Sequence, residues 1–191
     1  MKKAYTVKYR RKRKGKTDYR TRMKLLSSGK PRLVIRRSLH NFTVQFVALD
    51  NKGDRTLISG NTRELLKYGW NAHRGNIPSA YLTGYLCGLK AVKNKFNEGI
   101  VDIGLSRAVK GSSVFGAIKG LIDAGVKINC SEEFFPSNDA IIGKTIANYA
   151  SSLQKEKYLK QFSNYEKSGF KVVDIQKKFE ETKKKITEKW Q

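Results

Sequence analysis

The pattern of apolar and polar positions divides the chain sharply. Between Pro31 and Gly60 it reads as three strands. Arg32–Arg36 carries the unbroken run Leu33-Val34-Ile35, which suits a strand covered on both faces. Phe42–Ala48 alternates, with Phe42, Val44 and Phe46 on one side and Thr43, Gln45 and Val47 on the other. Arg55–Ser59 repeats the theme with Leu57 and Ile58. Asp50-Asn51-Lys52-Gly53-Asp54 supplies the turn before it, because Asn and Gly adopt positive φ at little cost. The first connection, Arg36–Asn41, is almost wholly polar. An apolar hairpin that raises two arginines at its tip is a rigid mount for gripping an anion.

After Gly60 the period changes. Thr62 can cap a short helix Arg63–Lys67. Asn76 and Pro78 open the longest helix, about Ser79–Phe96, in which Leu82, Tyr85, Leu86, Leu89, Val92 and Phe96 recur at spacings of three and four. Gly84 and Gly88 within it predict close packing on the sheet. Ile100–Gly104 reads as a fourth strand. Ser112 or Ser113 caps a helix Val114–Ala124, and Val126–Cys130 reads as a fifth strand. A last body helix spans Asp139–Ser152. From Lys155 the stripes weaken (Tyr158, Phe162, Phe170, Ile175, Phe179, Ile186), which predicts helices with little core of their own. Three strands followed by helix, strand, helix, strand, helix predict an α/β mixed sheet with flanking helices, the plan of the ribonuclease-H-like architecture. The expected division is a basic arm and short helix over 1–30, an α/β body over 31–153, and a helical C-terminal tail over 154–191.

Charge changes the picture mainly at the start. The chain has 191 residues and a net charge of +24. Residues 1–37 hold 16 Lys and Arg against a single acid, Asp18. Met1–Lys16 has too little apolar surface to offset its ordering entropy, so it is expected to order only against a polyanion. Tyr5 and Tyr9 interleave with the cations, a pattern suited to stacking on bases as well as to phosphate contact. Thr17 or Asp18 can cap a helix Tyr19–Ser27 that carries Arg20, Arg22 and Lys24 and is anchored by Met23, Leu25 and Leu26. The start has no apolar signal segment and no run is long enough to span a membrane, so the cytoplasm is the expected compartment. Cys87 and Cys130 lack metal or disulfide spacing and read as small buried hydrophobes.

Catalytic readings find little support. A two-metal nuclease needs clustered carboxylates, yet the first strand offers none, Asp102 stands alone on its strand, and Asp50 and Asp54 lie in a turn. Gly143-Lys144-Thr145 ends like a phosphate loop, but Asn138 occupies the position of its first glycine. The two histidines, His40 and His73, fall in basic loops without an acid partner, which suits RNA or solvent contact better than proton transfer. A polybasic membrane protein would need an anchor or amphipathic helix that is not visible. No cofactor is implied.

Several motifs then carry a resemblance. Tyr9–Tyr19, Pro31–Ser38 with Gln45, Asn76–Gly84, Val114–Gly120 and Asp123-Ala124-Gly125 resemble, in that order, motifs of the large-subunit ribosomal protein L-eighteen family in its archaeal and eukaryotic branch. The resemblance implies a non-catalytic ribonuclease-H-like fold that binds 5S rRNA and helps attach it to 23S rRNA, beside neighbouring proteins of the central protuberance. It also places RNA contacts on Arg10, Arg11, Arg13, Lys14, Lys16, Tyr19, Arg20, Arg32, Arg36, Arg37 and Ser38. Arg22 joins these through its helix, Gln45 through its matched position, and Asn41 as a group able to hydrogen-bond a base or a 2′-hydroxyl. Leu39 stands where the family usually has Asn, Asn41 where it often has His, and Asn129-Cys130 where it usually has Pro-His.

Overall fold

The computed structural model describes residues 6–190 of the chain. The alternating segments pair as expected. β1 (Arg32–Arg37) and β2 (Phe42–Asp50) form an antiparallel hairpin, and β3 (Gly53–Asn61) continues the meander. α3 (Ile77–Lys93) then crosses over, and β4 (Ile100–Asp102) returns parallel to β1. Ahead of them lie α1 (Arg10–Arg13) and α2 (Tyr19–Leu26). Among the described residues the sheet has the order β3-β2-β1-β4. It is a mixed sheet, as the order of elements predicts, but the helix layer covers only one face. β1 is therefore not covered on both faces as its unbroken apolar run suggests: Leu33 and Ile35 are buried while Val34 is only half-buried.

That covered face forms one of the two large core clusters. Leu33, Ile35, Phe42, Val44, Phe46 and Ile58 meet α3 and α4 (Ser113–Asp123) through Cys87, Ile118 and Leu121. The glycines of α3 do not approach the sheet, as the sequence suggests, but α4. A Cβ on Gly84 would run into the carbonyl of Ala117, and one on Gly120 into the carbonyl of Tyr81. The two helices therefore touch backbone to backbone, which leaves almost no room for added volume. Cys87 is buried, its Sγ donates to Val44 O, and burial pushes its thiol up to about 12. Cys130 is only half-buried.

Three local expectations shift. Val126–Cys130 is not a strand; it makes a single parallel bridge, Lys127 with Glu98, just before β4. With β4 three residues long, the edge offers no ladder to extend. The helix expected over 139–152 breaks at Gly143, whose φ of +83° starts a new helix. The result is α5 (Asn138–Ile141) and α6 (Lys144–Ser152). The short helix after β3 is a 3-10 helix, Thr62–Tyr68, capped by Asn61 reciprocally with Glu64 rather than by Thr62. Thr62 is buried, and its hydroxyl accepts from the Phe42 N–H at 3.1 Å.

The tail closes on the outer side of α3. After α7 (Lys155–Gln161) and α8 (Ser163–Lys167), α9 (Ile175–Trp190) buries Ile175, Phe179, Thr182 and Ile186. The apolar members pack with Trp70, Tyr81, Leu82 and Leu86 in a second core cluster. The Trp190 Nε1–H donates to the Tyr68 hydroxyl at 2.9 Å, and Lys93 Nζ lies 5.4 Å from the indole centroid. The tail thus uses the body's helix for the core its own sequence lacks.

Candidate nucleic-acid interface

The period-two alternation that sends Leu33 and Ile35 into the core sends Arg32, Val34 and Arg36 to the opposite face. Gln45 lies across from Val34 in the β2 register, and Asp102 lies beside Val34 in the β4 register. No helix of the α3–α4 layer covers this face. The arm lies over it instead, and the space between is a groove of about 830 Å³. Arg11, Lys16, Tyr19 and Arg22 line it from the arm side, and Arg32, Arg36, Arg37 and Gln45 from the sheet side.

A carboxylate ladder sets the position of these cations. Arg22 of α2 grips Asp54 with two parallel hydrogen bonds, Nη1 to Oδ2 and Nη2 to Oδ1, each 2.8 Å. Arg32 Nη2 stands 2.8 Å from Asp54 Oδ2, an ion pair that is off-line for a hydrogen bond. Arg32 Nη1 donates to Asp102 Oδ2 at 2.9 Å. Arg36 Nη2 donates to Asp102 Oδ1 at 2.9 Å, and its Nη1 to the Asp102 carbonyl at 2.6 Å. The run Arg22–Asp54–Arg32–Asp102–Arg36 therefore alternates in sign across the open face. A Cβ on Gly104 would strike the Arg36 guanidinium, so the turn after β4 is shaped around it.

The titration of the acids follows. The Arg22 hydrogen bonds hold Asp54 below the ordinary carboxylate range against a smaller burial effect, with Arg32 adding to them. Burial alone would raise Asp102, but Arg36, the Gly104 N–H and Arg32 together bring it below its ordinary value. Both acids stay ionised, and each is occupied by guanidinium groups. Among the described residues there is no cluster of three or more His, Cys, Asp or Glu that could hold a metal ion.

The arm carries more local structure than its charge predicts. Asp18 caps α2, accepting from the Arg20 N–H at 2.9 Å and from the Thr21 hydroxyl at 2.7 Å. Arg11 Nε donates to Thr17 Oγ1 at 2.8 Å, and the Tyr9 and Tyr19 rings lie 5.2 Å apart. α1 is one exposed turn in which Arg10, Arg11 and Arg13 face solvent. Lys14, Lys16 and Arg20 are exposed beside it. The expected anchor Met23 is 68% exposed, and α2 buries no residue fully; the Arg22–Asp54 pair holds it to the sheet instead. Met1–Tyr5, including the stacking candidate Tyr5, lie outside the described residues.

At the hairpin tip Ser38 and Asn41 close the turn. The Ser38 N–H and hydroxyl both donate to the Asn41 carbonyl, and the Asn41 N–H donates back to Ser38 Oγ. Asn41 Oδ1 accepts from the buried Thr62 hydroxyl at 3.3 Å. Arg37 is exposed, with Nη1 3.4 Å from Ser113 Oγ. The candidates thus fall into three groups. Arg10, Arg11, Arg13, Lys14, Lys16, Arg20 and Arg37 present open charge. Tyr19, Asn41 and Gln45 are partly covered at the groove or tip, where Ser38 is exposed, and Arg36 is exposed although tied to Asp102. Arg32, 4% exposed, is enclosed in the ladder beside the half-buried Arg22. Sequence reasoning missed Asp54 and Asp102. The available signal was an isolated acid on a short apolar strand facing a strand with two arginines.

A family model described as "Ribosomal large subunit proteins 60S L5, and 50S L18" matches residues 3–99. Those residues span most of the arm, the meander with its tip, the groove lining apart from Asp102 to Ser106, and α3. The chain belongs to this family, so it is a structural constituent of the large ribosomal subunit and not an enzyme.

Proposed function

We propose that this protein binds 5S rRNA through the open-face groove and the hairpin tip, and attaches it to 23S rRNA in the central protuberance, in the manner of the archaeal type. The exposed cations of the arm take phosphates, and the rigid tip reads geometry. Arg22, Arg32 and Arg36 hold the arm and tip in register for that contact. The observation that carries this reading is the groove itself, a cationic cleft whose arginines are fixed by two acids, the buried Asp102 and the more open Asp54, rather than left floppy. Groups already ordered lose less entropy on binding and can discriminate between surfaces.

Competition binding of 5S rRNA against tRNA across a salt series tests it. If roughly eight phosphates are neutralised, log K should fall steeply with log salt. A slope shallower than about −2 would mean the arm is not on the RNA. Arg37→Ala should erode the preference for 5S rRNA, whereas Lys2→Ala with Lys3→Ala should weaken both RNAs alike. Equal behaviour of the two variants would deny the tip a reading role.

A further inference from the structure

On the far side of the hairpin tip lies a second cavity, of about 380 Å³, between the tip, the loop after Trp70 and α8. Its size is at the lower end for small-molecule sites. Its lining residues include His40, His73, Tyr165, Leu66 and Arg74. The two imidazoles stand edge to face, 5.9 Å between centroids. Asn71 and Asn164 contribute carboxamides, each both donor and acceptor. No carboxylate lines it among the described residues.

The cavity is preformed. The His73 N–H donates to the Tyr165 hydroxyl at 3.0 Å, which ties the loop to the tail. The Gly75 N–H donates to His73 Nδ1 at 3.1 Å, which leaves the proton of a neutral ring on Nε2. Gly75 also lets the tip press on the loop, since a Cβ there would run into the Leu39 carbonyl. Burial, then the charges of His40 and Arg74, lower His73, so its ring stays neutral near pH 7. Flat polarizable walls, amides that present both hydrogen-bonding senses and a cation without an opposing acid suit a heteroaromatic ring that carries a phosphate.

We infer that this cavity is a second RNA subsite, taking one unstacked nucleobase against its aromatic side chains while Arg74 meets the attached phosphate. The inference rests on the RNA-binding reading above. The position supports it: Arg37 lines the groove and His40 lines this cavity, so an RNA strand held in the groove reaches the pocket by passing over the tip.

The chain has only two histidines, so proton NMR of the full protein reports the site directly through two imidazole signals. Titration with adenosine 5′-monophosphate should move both signals saturably, with a midpoint on the order of 1 mM. Inorganic phosphate should move them far less. Arg74→Ala should weaken the nucleotide about tenfold. Arg11→Ala with Lys16→Ala should leave the nucleotide titration unchanged while weakening 5S rRNA binding, which separates this subsite from the groove. Still signals, equal shifts from phosphate and nucleotide, or indifference to Arg74→Ala would each overturn the subsite while leaving the groove reading intact. Absence of salt-dependent 5S rRNA binding in the unmodified protein would instead overturn the groove reading.

Discussion

The two faces of the sheet are made by the same strands and follow opposite logic. On one face Leu33, Phe42, Val44 and Phe46 are sealed by α3 and α4, and stability comes from burial and from a helix–helix contact too close for side chains. On the other face Arg32 and Arg36 would repel one another and α2. Asp54 and Asp102, from strands far apart in the chain, stand between them. The first face tolerates apolar exchange of equal volume but no added bulk. The second tolerates bulk toward solvent but no lost charge. In a strongly cationic chain, its acids are therefore assets for binding an anion.

The sharpest way to break the open face is Asp102→Ala. It strands Arg32, 4% exposed, without its hydrogen-bonded acid, and should cost about 3–5 kcal/mol. The melting temperature should then fall by roughly 10 °C in a circular-dichroism melt. A drop within about 2 °C would mean water replaces the acid adequately.

On the covered face, Gly84→Ala should cost about 1–3 kcal/mol, because α3 and α4 must separate to admit one methyl group. Thermal unfolding measures it, and an unchanged midpoint would show that the helices slide freely.

Acid should weaken the open face more than the covered one. Asp54 and Asp102 have folded-state values below their ordinary ones. Their contribution is therefore complete above the unfolded value, about 3.9, and is lost as pH falls below it. The melting temperature should fall below about pH 4, and the fall should be smaller in Asp54→Asn.

The smallest expected effect has the most telling sign. Asp54→Asn removes a negative charge, so net charge alone predicts tighter RNA binding. The ladder predicts the reverse: α2 loses its bidentate anchor, affinity for 5S rRNA drops about fivefold, and trypsin cuts the arm of the free protein faster. Tighter binding would show that Asp54 only dilutes the positive field.

The alternation in β2, the three-four spacing in α3, the Asn51–Gly53 turn into β3 and the Asn76-Pro78 start of α3 were legible, because each is a local rule of period or φ. The short β4 and the missing fifth strand were not, because an edge is decided by how much ladder its neighbour offers. Nor was the break at Gly143, where a Cβ would come within 3.1 Å of Ile175 in a helix thirty-two residues later. Asp102 looked solitary in the sequence because its partners, Arg32 and Arg36, are 70 and 66 residues away.

By itself the sequence determined the class of fold, the family and the cationic surplus that suits the proposed RNA partner, since these follow from pattern, motif order and net charge. Tertiary structure alone decided which arginines are free to meet that partner and which are spent holding the frame. An Arg reads the same in every strand; only the carboxylate that the fold brings within about 3 Å separates one role from the other.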